Sequence, residues 1–248
     1  MAAEGGNAEA QSNLGMMFRH AKGVETDLAQ AEKWSRLAAE QGEPRAQDQL
    51  GDMYHKGEGV PQDHAEAAKW RRLAAEQGYH MAQHNLGVML QKGEGVPRDD
   101  REAVKWFRLA AEGGNPWAQL NLGYMRLEGR GVPKDAGVAA KLYRQAMEGG
   151  LAIAARDLAA LYEYGKGVPR DLSEAVKLYR LAAEQGISMA QLKLAELLER
   201  GLGVPQDDRE AAKWRKKAEE GDSAERRESH EFIGVNLSQP ENSKLENL

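Results

Sequence analysis

A thirty-six-residue unit recurs six times in this chain without insertion or deletion between copies. Its clearest marker is the motif Gly-Val-Pro-x-Asp, which begins at Gly59, Gly95, Gly131, Gly167 and Gly203. A weaker copy, Gly-Val-Glu-Thr-Asp, begins at Gly23. A fixed period of this length is typical of solenoids, in which small helical units stack on their neighbours. A stacked array presents a long continuous surface, so the repeat favours a binding function over a closed catalytic pocket.

The first half of each unit predicts an amphipathic helix. In the second copy Ala46, Leu50 and Tyr54 recur at helical spacing and form one apolar face. Glycine or alanine follows the leucine in every copy, at Gly15, Gly51, Gly87, Gly123, Ala159 and Ala195. Each glycine lowers helix propensity by about 1 kcal/mol, so its recurrence predicts that a neighbouring helix approaches closely at this point.

The second half of each unit predicts another helix. Asp63 is a preferred N-cap residue, and Glu66 three positions later predicts a reciprocal capping box. Trp70 and Leu73 lie on the predicted apolar face, and Gly78 is expected to end the helix. By the same pattern we expect the tryptophans to be core residues, namely Trp34, Trp70, Trp106 and Trp214. Each unit is therefore predicted to be a pair of antiparallel helices.

The composition restricts the kind of partner. The formal net charge is −5 and the basic residues are spread through every repeat, so we expect no nucleic-acid binding. No apolar stretch approaches the roughly 18 residues of a membrane-spanning helix. The chain has no cysteine, which excludes disulfides and thiolate metal sites.

The consensus around residues 46–78 resembles the Sel-1-like repeat, a relative of the tetratricopeptide repeat. The matching residues read Ala-Gln-x-x-Leu-Gly-x-Met-Tyr-x-x-Gly-x-Gly-Val-Pro-x-Asp-x-x-Glu-Ala-x-Lys-Trp-x-Arg-Leu-Ala-Ala-Glu-Gln-Gly. The resemblance implies an all-α, right-handed solenoid superhelix of six helix pairs, with a concave face lined by first helices. It also implies adaptor work in bacteria, in the envelope, in secretion or in the cytoplasm. The first copy departs from the pattern, with Ala21 and Glu25 in place of Gly and Pro.

These patterns predict the following organisation. Residues 1–221 form the repeat array, and residues 1–6 resemble the end of a preceding repeat, which would leave an uncapped end open to self-association. Residues 222–248 form a C-terminal segment, with a charged capping helix near 222–230 and a disordered tail from about 234. The repeats are expected at about 7–42, 43–78, 79–114, 115–150, 151–186 and 187–221.

No conventional catalytic pattern occurs in the sequence. We find no phosphate-binding glycine loop, no Gly-x-Ser-x-Gly and no His-Glu-x-x-His, so we expect neither an enzyme nor a bound cofactor. His80 and His84 stand four apart on a predicted first helix, a spacing that can hold a metal, but we expect them to be solvated surface residues. Cysteine-rich relatives have been linked to β-lactam binding or hydrolysis, but this chain has neither cysteine nor a plausible Ser-x-x-Lys.

The residues that vary between repeats carry the prediction of function. On the fourth first helix, an apolar stripe additional to the core follows spacings of three, four and three: Trp117, Leu120, Tyr124 and Leu127. A helix that is apolar on two faces is either buried on both or presents one to a partner. We expect this stripe to be the centre of a site for a peptide or partner protein. Further apolar contacts are expected from Met81, Val88, Ile153, Met189 and Leu192, and charged edge contacts from Arg45, Lys56, Lys92 and Arg156. Two other interpretations stay open: burial of the stripe between first helices, and a structural or self-associating spacer within a larger protein.

Overall fold

The computed structural model describes residues 2–225 of the chain. By its packing the chain divides into two compact units, Met1–Lys134 and Asp135–Leu248. Within the described residues every regular element is an α-helix, and these helices follow one another in pairs. The predicted all-α solenoid of helix-pair repeats is therefore confirmed.

The first unit contains three helix pairs and the first helix of a fourth. The helices are α1 (Ala8–Arg19), α2 (Leu28–Glu40), α3 (Pro44–Lys56), α4 (His64–Glu76), α5 (His80–Lys92), α6 (Asp100–Glu112) and α7 (Pro116–Glu128). Odd-numbered helices are the first helices of their repeats, and α1, α3 and α5 each pack on the second helix that follows in the chain.

The second unit begins with the second helix of the fourth repeat and continues with two further pairs. Its last helix runs without interruption beyond the sixth repeat. The helices are α8 (Ala136–Glu148), α9 (Ala152–Tyr164), α10 (Leu172–Glu184), α11 (Ser188–Arg200) and α12 (Asp208–Glu225). The predicted charged cap lies mostly, and the predicted disordered tail entirely, outside the described residues.

The start of α4 shows only part of the predicted capping box. The Asp63 carboxylate accepts hydrogen bonds from the backbone N–H groups of Ala65 and Glu66, at 2.9 and 3.0 Å. The reciprocal bond of a capping box does not form, because the Asp63 N–H donates instead to the Tyr54 carbonyl at 2.9 Å. The Glu66 carboxylate pairs with Lys69. The loop between the two helices thus ties itself back to the first helix.

The two helices of a repeat approach most closely at the recurring glycine of the first helix. A Cβ added at Gly87 would lie 2.6 Å from the Phe107 ring, and one at Gly51 would lie 2.9 Å from Cγ of Arg71. These separations are shorter than van der Waals contact. The predicted packing role of the glycine is confirmed, and its partner is the residue directly after the tryptophan position of the second helix.

The residue directly after the tryptophan is the buried one on the second helix. The prediction that all four tryptophans are core residues is therefore wrong. Phe107 is fully buried and Arg71 is 5% exposed, whereas Trp70 and Trp106 are only half-buried. Leu73, predicted on the buried face, is 45% exposed. Neighbouring residues point about 100° apart on a helix, so the apolar face is rotated by one residue from the one predicted. The tryptophan is half-buried at Trp34, Trp70 and Trp106 and buried at Trp214. Leu178, which holds the same position in the fifth repeat, is buried as well.

The inter-helix loop also packs on the preceding repeat. Gly95 has a positive φ of 70°, and a Cβ there would lie 2.0 Å from the His64 carbonyl oxygen at the start of α4. Only glycine fits both the left-handed backbone and this close approach. Val96, next in the loop, packs on a cluster of Ala67, Ala68 and Met89. The recurrence of Gly-Val thus reflects a contact between successive repeats.

Replacing Phe107 with Ala should lower the free energy of unfolding by about 3–5 kcal/mol, as for other fully buried aromatic residues. The neighbouring substitution Trp106→Ala should lower it by less than half as much, because part of that ring already contacts solvent. Urea denaturation followed by circular dichroism measures both. Equal losses would show that the tryptophan also belongs to the core.

Replacing Ala21 with Gly should stabilise the protein by about 0.5–1 kcal/mol, since Ala21 has a left-handed φ of 54° that a Cβ disfavours. Glycine holds the same place in the next repeat, where Gly57 ends α3 with φ of 73°. Gly57→Ala is therefore the matched reverse change and should destabilise. Thermal melting of both variants gives the comparison, and a lower melting temperature for Ala21→Gly would contradict it.

Candidate protein-binding surface

The exposed side of the first helices carries the candidate surface, which we call the first-helix face. In the first unit it includes the opening turns of α3, α5 and α7. There Arg45, Met81 and Trp117 stand at equivalent positions of successive repeats, and all three are exposed. Met81 is 46% and Trp117 42% exposed, large fractions for apolar side chains of this size. The face therefore changes from charged to apolar along the unit.

The helices that carry Met81 and Trp117 lie side by side. Asn121 Nδ2 of α7 lies 3.0 Å from His84 Nε2 of α5. Each of these residues is within about one helical turn of the exposed apolar residue on its own helix. Met81 and Trp117 thus flank one polar bridge and form an apolar patch, the Met81–Trp117 patch.

The rest of the predicted stripe is less accessible than the sequence indicates. Leu120 is 1% and Leu127 3% exposed, so neither offers surface to a partner. Tyr124 and Val88 are half-buried, and the Arg130 guanidinium lies over the Tyr124 ring at 5.9 Å from its centroid. The accessible part of the stripe is therefore Trp117 with one side of Tyr124.

The burial of Leu120 agrees with the alternative interpretation of the stripe, in which its residues are covered rather than presented to a partner. In the second repeat the position of Leu120 is Asp48, whose Oδ1 accepts a hydrogen bond from Asn85 of the next first helix at 3.1 Å. Asp48 thus faces the neighbouring first helix rather than solvent. The position of Asn85 is polar in every repeat, and this regularity is a sequence signal for the contact between first helices. Its residues are Asn13, Gln49, Asn85, Asn121, Asp157 and Lys193.

Charged groups near α1 and α3 form a closed network. Arg19 donates to Asp52 at 2.5 Å and to Glu58 at 2.5 and 2.7 Å. Arg71 donates to the other oxygen of Asp52 at 3.1 Å, and Lys56 Nζ lies 3.1 Å from Asp52. Burial by itself raises the pKa of Asp52, but the hydrogen bond and charge of Arg19, with the charge of Lys56, outweigh it and hold that pKa below its usual value.

The predicted edge charges are therefore mostly paired within the protein. Lys56 is bound to Asp52, and Lys92 Nζ lies 3.6 Å from Glu94. Arg45 is exposed and donates to Asn13 at 3.1 Å. A partner that uses these groups must compete with contacts already made.

In the second unit the first helices α9 and α11 carry a second apolar surface. Met189 is 55% and Leu192 39% exposed, and Ile153 is half-buried. Arg156, predicted as an edge charge, is held by the neighbouring Asp157, whose Oδ1 accepts from Arg156 Nε at 2.8 Å. This unit thus offers apolar contacts on its own first helices.

The histidines of α5 take part in local polar contacts. His84 bridges Asn85 and Asn121, and His80 Nδ1 lies 3.2 Å from Gln83 Oε1. In the part of the chain that the structure describes, no group of three or more His, Asp or Glu side chains could hold a metal ion. No helix there is long and apolar enough to cross a membrane.

Comparison with known proteins identifies the repeat. The Sel1 repeat model matches six successive segments, at residues 8–43, 44–79, 80–115, 118–151, 152–187 and 188–223. The chain belongs to the Sel1 repeat family. No curated protein sequence matches it significantly.

Solved structures show Sel1 relatives with the same fold. A protective antigen present in uropathogenic Escherichia coli strains, with an SLR fold, is 41% identical over 88% of this chain, with a TM-score of 0.84. A Sel1 repeat protein from Oxalobacter formigenes is 34% identical, with a TM-score of 0.78, and covers 86% of this chain and 85% of its own. An immunity protein from Pseudomonas aeruginosa, 18% identical over 87% of this chain and 82% of its own with a TM-score of 0.56, shares the fold. The chain spans about half the length of the first of these relatives, 47%.

Stability of this Sel1 array should depend on the ionisation of Asp157, which is 2% exposed and whose Oδ2 accepts no hydrogen bond from the described residues. Burial raises the pKa of Asp157 to about 6, against the opposing effect of Arg156. The folded state then holds a proton that the unfolded state has lost between about pH 4 and pH 6. The contribution of Asp157 to the free energy of unfolding is therefore complete below pH 4 and is lost as the pH rises through 6.

Asp157→Asn should remove this decline, which is on the order of 2–3 kcal/mol for a shift of about two pKa units. Urea denaturation of the wild type and the variant from pH 4 to 7.5 measures the difference in slope. Glu112→Gln, at the exposed end of α6, serves as the control for a change of net charge. Parallel pH profiles for the wild type and Asp157→Asn would contradict the assignment.

Proposed function

We propose that the chain is a non-catalytic scaffold that binds a peptide or partner protein along the first-helix face. The observation that carries this proposal is the exposed Met81–Trp117 patch on adjacent first helices. Aromatic and methionine side chains are enriched at the centres of protein interfaces, where a polar rim surrounds them. Here the rim is provided by Arg45 and by the bridge between His84 and Asn121.

The fold does not require apolar residues at these positions. The residues equivalent to Trp117 in the first two repeats are Glu9 and Arg45, both exposed, and α1 and α3 pack on their second helices as α5 does. Met81 and Trp117 therefore place exposed apolar side chains at a position where other repeats carry charge. This supports a role in recognition rather than in folding.

The second unit supports a parallel contact. Met189 and Leu192 occupy the first-helix face of α11 and are both exposed. We treat the two units as separate binding surfaces, each able to accept an apolar side chain of a partner. The paired charges near Asp52 would contribute to orientation and association rate more than to affinity, because they already have partners within the protein.

Membership of the Sel1 family supports the coarser part of the proposal, since these repeats commonly act as protein-interaction scaffolds. The described surfaces present exposed apolar anchors rather than a cluster of nucleophile, base and oxyanion donor, which favours binding over catalysis. A spacer or self-associating array is the competing interpretation, and the test below separates the two.

Trp117→Ala should weaken binding of a selected peptide about 30-fold, which corresponds to about 2 kcal/mol for an interface hot spot. Peptides selected from a random phage library against the full chain provide the ligands, and fluorescence anisotropy provides their dissociation constants. Met81→Ala should weaken the same peptides, and apolar residues should be enriched among those selected.

Trp106→Ala is the matched control, since this tryptophan is similarly half-exposed but lies on a second helix. It should leave peptide affinity unchanged. Selection of no peptides, together with concentration-dependent oligomers in sedimentation experiments, would favour the self-associating array. Equal loss of affinity in Trp106→Ala and Trp117→Ala would place the site elsewhere.

A further inference from the structure

Two histidines meet where the helices of the second repeat join. His55 lies in the last turn of α3 and His64 is the first residue of α4, so the pair closes the loop between them. Their Nδ1 atoms are 3.2 Å apart. Histidine is not needed at this position for the repeat to fold, because other residue types occupy it in the remaining copies. The residues equivalent to His55 are Arg19, Gln91, Leu127, Glu163 and Glu199.

The separation of the two nitrogens fits shared coordination of a metal. Two imidazole nitrogens bound at 2.0–2.1 Å to a tetrahedral zinc ion lie about 3.3 Å apart. A hydrogen bond of 3.2 Å is also possible in length, but it prefers a straight N–H···N line. The orientation of the rings distinguishes the two arrangements.

The separation of the ring centres is closer to that of two ligands of one metal ion than to that of a straight hydrogen bond. Their centroids are 4.9 Å apart and their planes are tilted by 58°. A straight hydrogen bond of this length would hold the centroids about 5.4 Å apart, because each nitrogen lies about 1.1 Å from its ring centre. Two rings directed at one metal ion would hold them about 5.0 Å apart. The observed separation agrees with the second arrangement.

Charged residues of both signs lie near His55. Burial, the positive charge of Arg71 and the proximity of His64 lower the pKa of His55, against the opposing charges of Glu94 and Asp52. The repulsion that Arg71 would exert on a cation is reduced, because Arg71 is hydrogen-bonded to Asp52 at 3.1 Å.

We propose that His55 and His64 form a binding site for a divalent transition-metal ion such as Zn²⁺. The two Nδ1 atoms are the protein ligands, and water completes the coordination, since the described residues place no third histidine or carboxylate within reach. The ion links the end of α3 to the start of α4 and so fastens the loop of the second repeat. Imidazole nitrogen is a ligand that zinc, copper and nickel prefer.

The test is calorimetric titration of Zn²⁺ into the full chain, without a polyhistidine tag and after treatment with a chelator. We expect one site per chain, weakened at least tenfold by His55→Ala and by His64→Asn. Saturating Zn²⁺ should raise the melting temperature of the wild type and have no effect on that of either variant. The conservative His64→Asn keeps a polar side chain at the start of α4, so loss of binding there does not reflect loss of the helix.

His80→Ala is the matched control, because it removes one member of the other closely spaced histidine pair. It should bind Zn²⁺ as the wild type does. Absence of saturable binding by the wild type would overturn the proposal and leave the histidine pair as a hydrogen bond only. Loss of binding in His80→Ala with retention in His55→Ala would also overturn it and assign the ion to α5.

Discussion

The structure depends on how closely the two helices of each repeat can approach. Glycine at positions 51 and 87 lets the side chain of Arg71 or Phe107 lie directly on the backbone of the first helix. A Cβ at either glycine would force the pair apart. The first three repeats share this contact, at Gly15, Gly51 and Gly87, so the spacing of their helix pairs repeats as well. The loop glycine at position 95 then places its loop against the start of α4 in the preceding repeat.

Once the helix pairs are packed in this way, the other positions of the first helices serve separate purposes. One row of positions faces the neighbouring first helix and is joined by polar bridges such as Asp48 with Asn85. Another faces solvent and can vary without disturbing the pair, as Arg45, Met81 and Trp117 show. The charged residues near Asp52 are mostly satisfied internally. Exposed apolar side chains at positions where other repeats carry charge are therefore the strongest candidates for contact with a partner.

Much of the fold could be predicted because the constraints are local and repeated. Helix starts at Asp63, ends at glycine and the close approach at Gly51 all follow from backbone chemistry that six copies display together. The orientation of the second helices was predicted less well. Trp70 and Phe107 are both apolar and adjacent in the pattern, and periodicity cannot decide which of two neighbouring columns of residues faces the core. That choice depends on which side chain fits over the glycine of the first helix.

The candidate binding surface, too, was predicted from the sequence only in part. The sequence by itself determined the repeat, its helix pairs, the family, and the fact that Trp117 and Met81 replace charged residues of earlier copies. Only the tertiary structure decided that Leu120 and Leu127 are buried while Trp117 is exposed, and that His55 and His64 meet. Spacing along one helix gives the direction of a side chain relative to that helix alone. Whether that direction leads to solvent or to a neighbour depends on how the helices pack on one another.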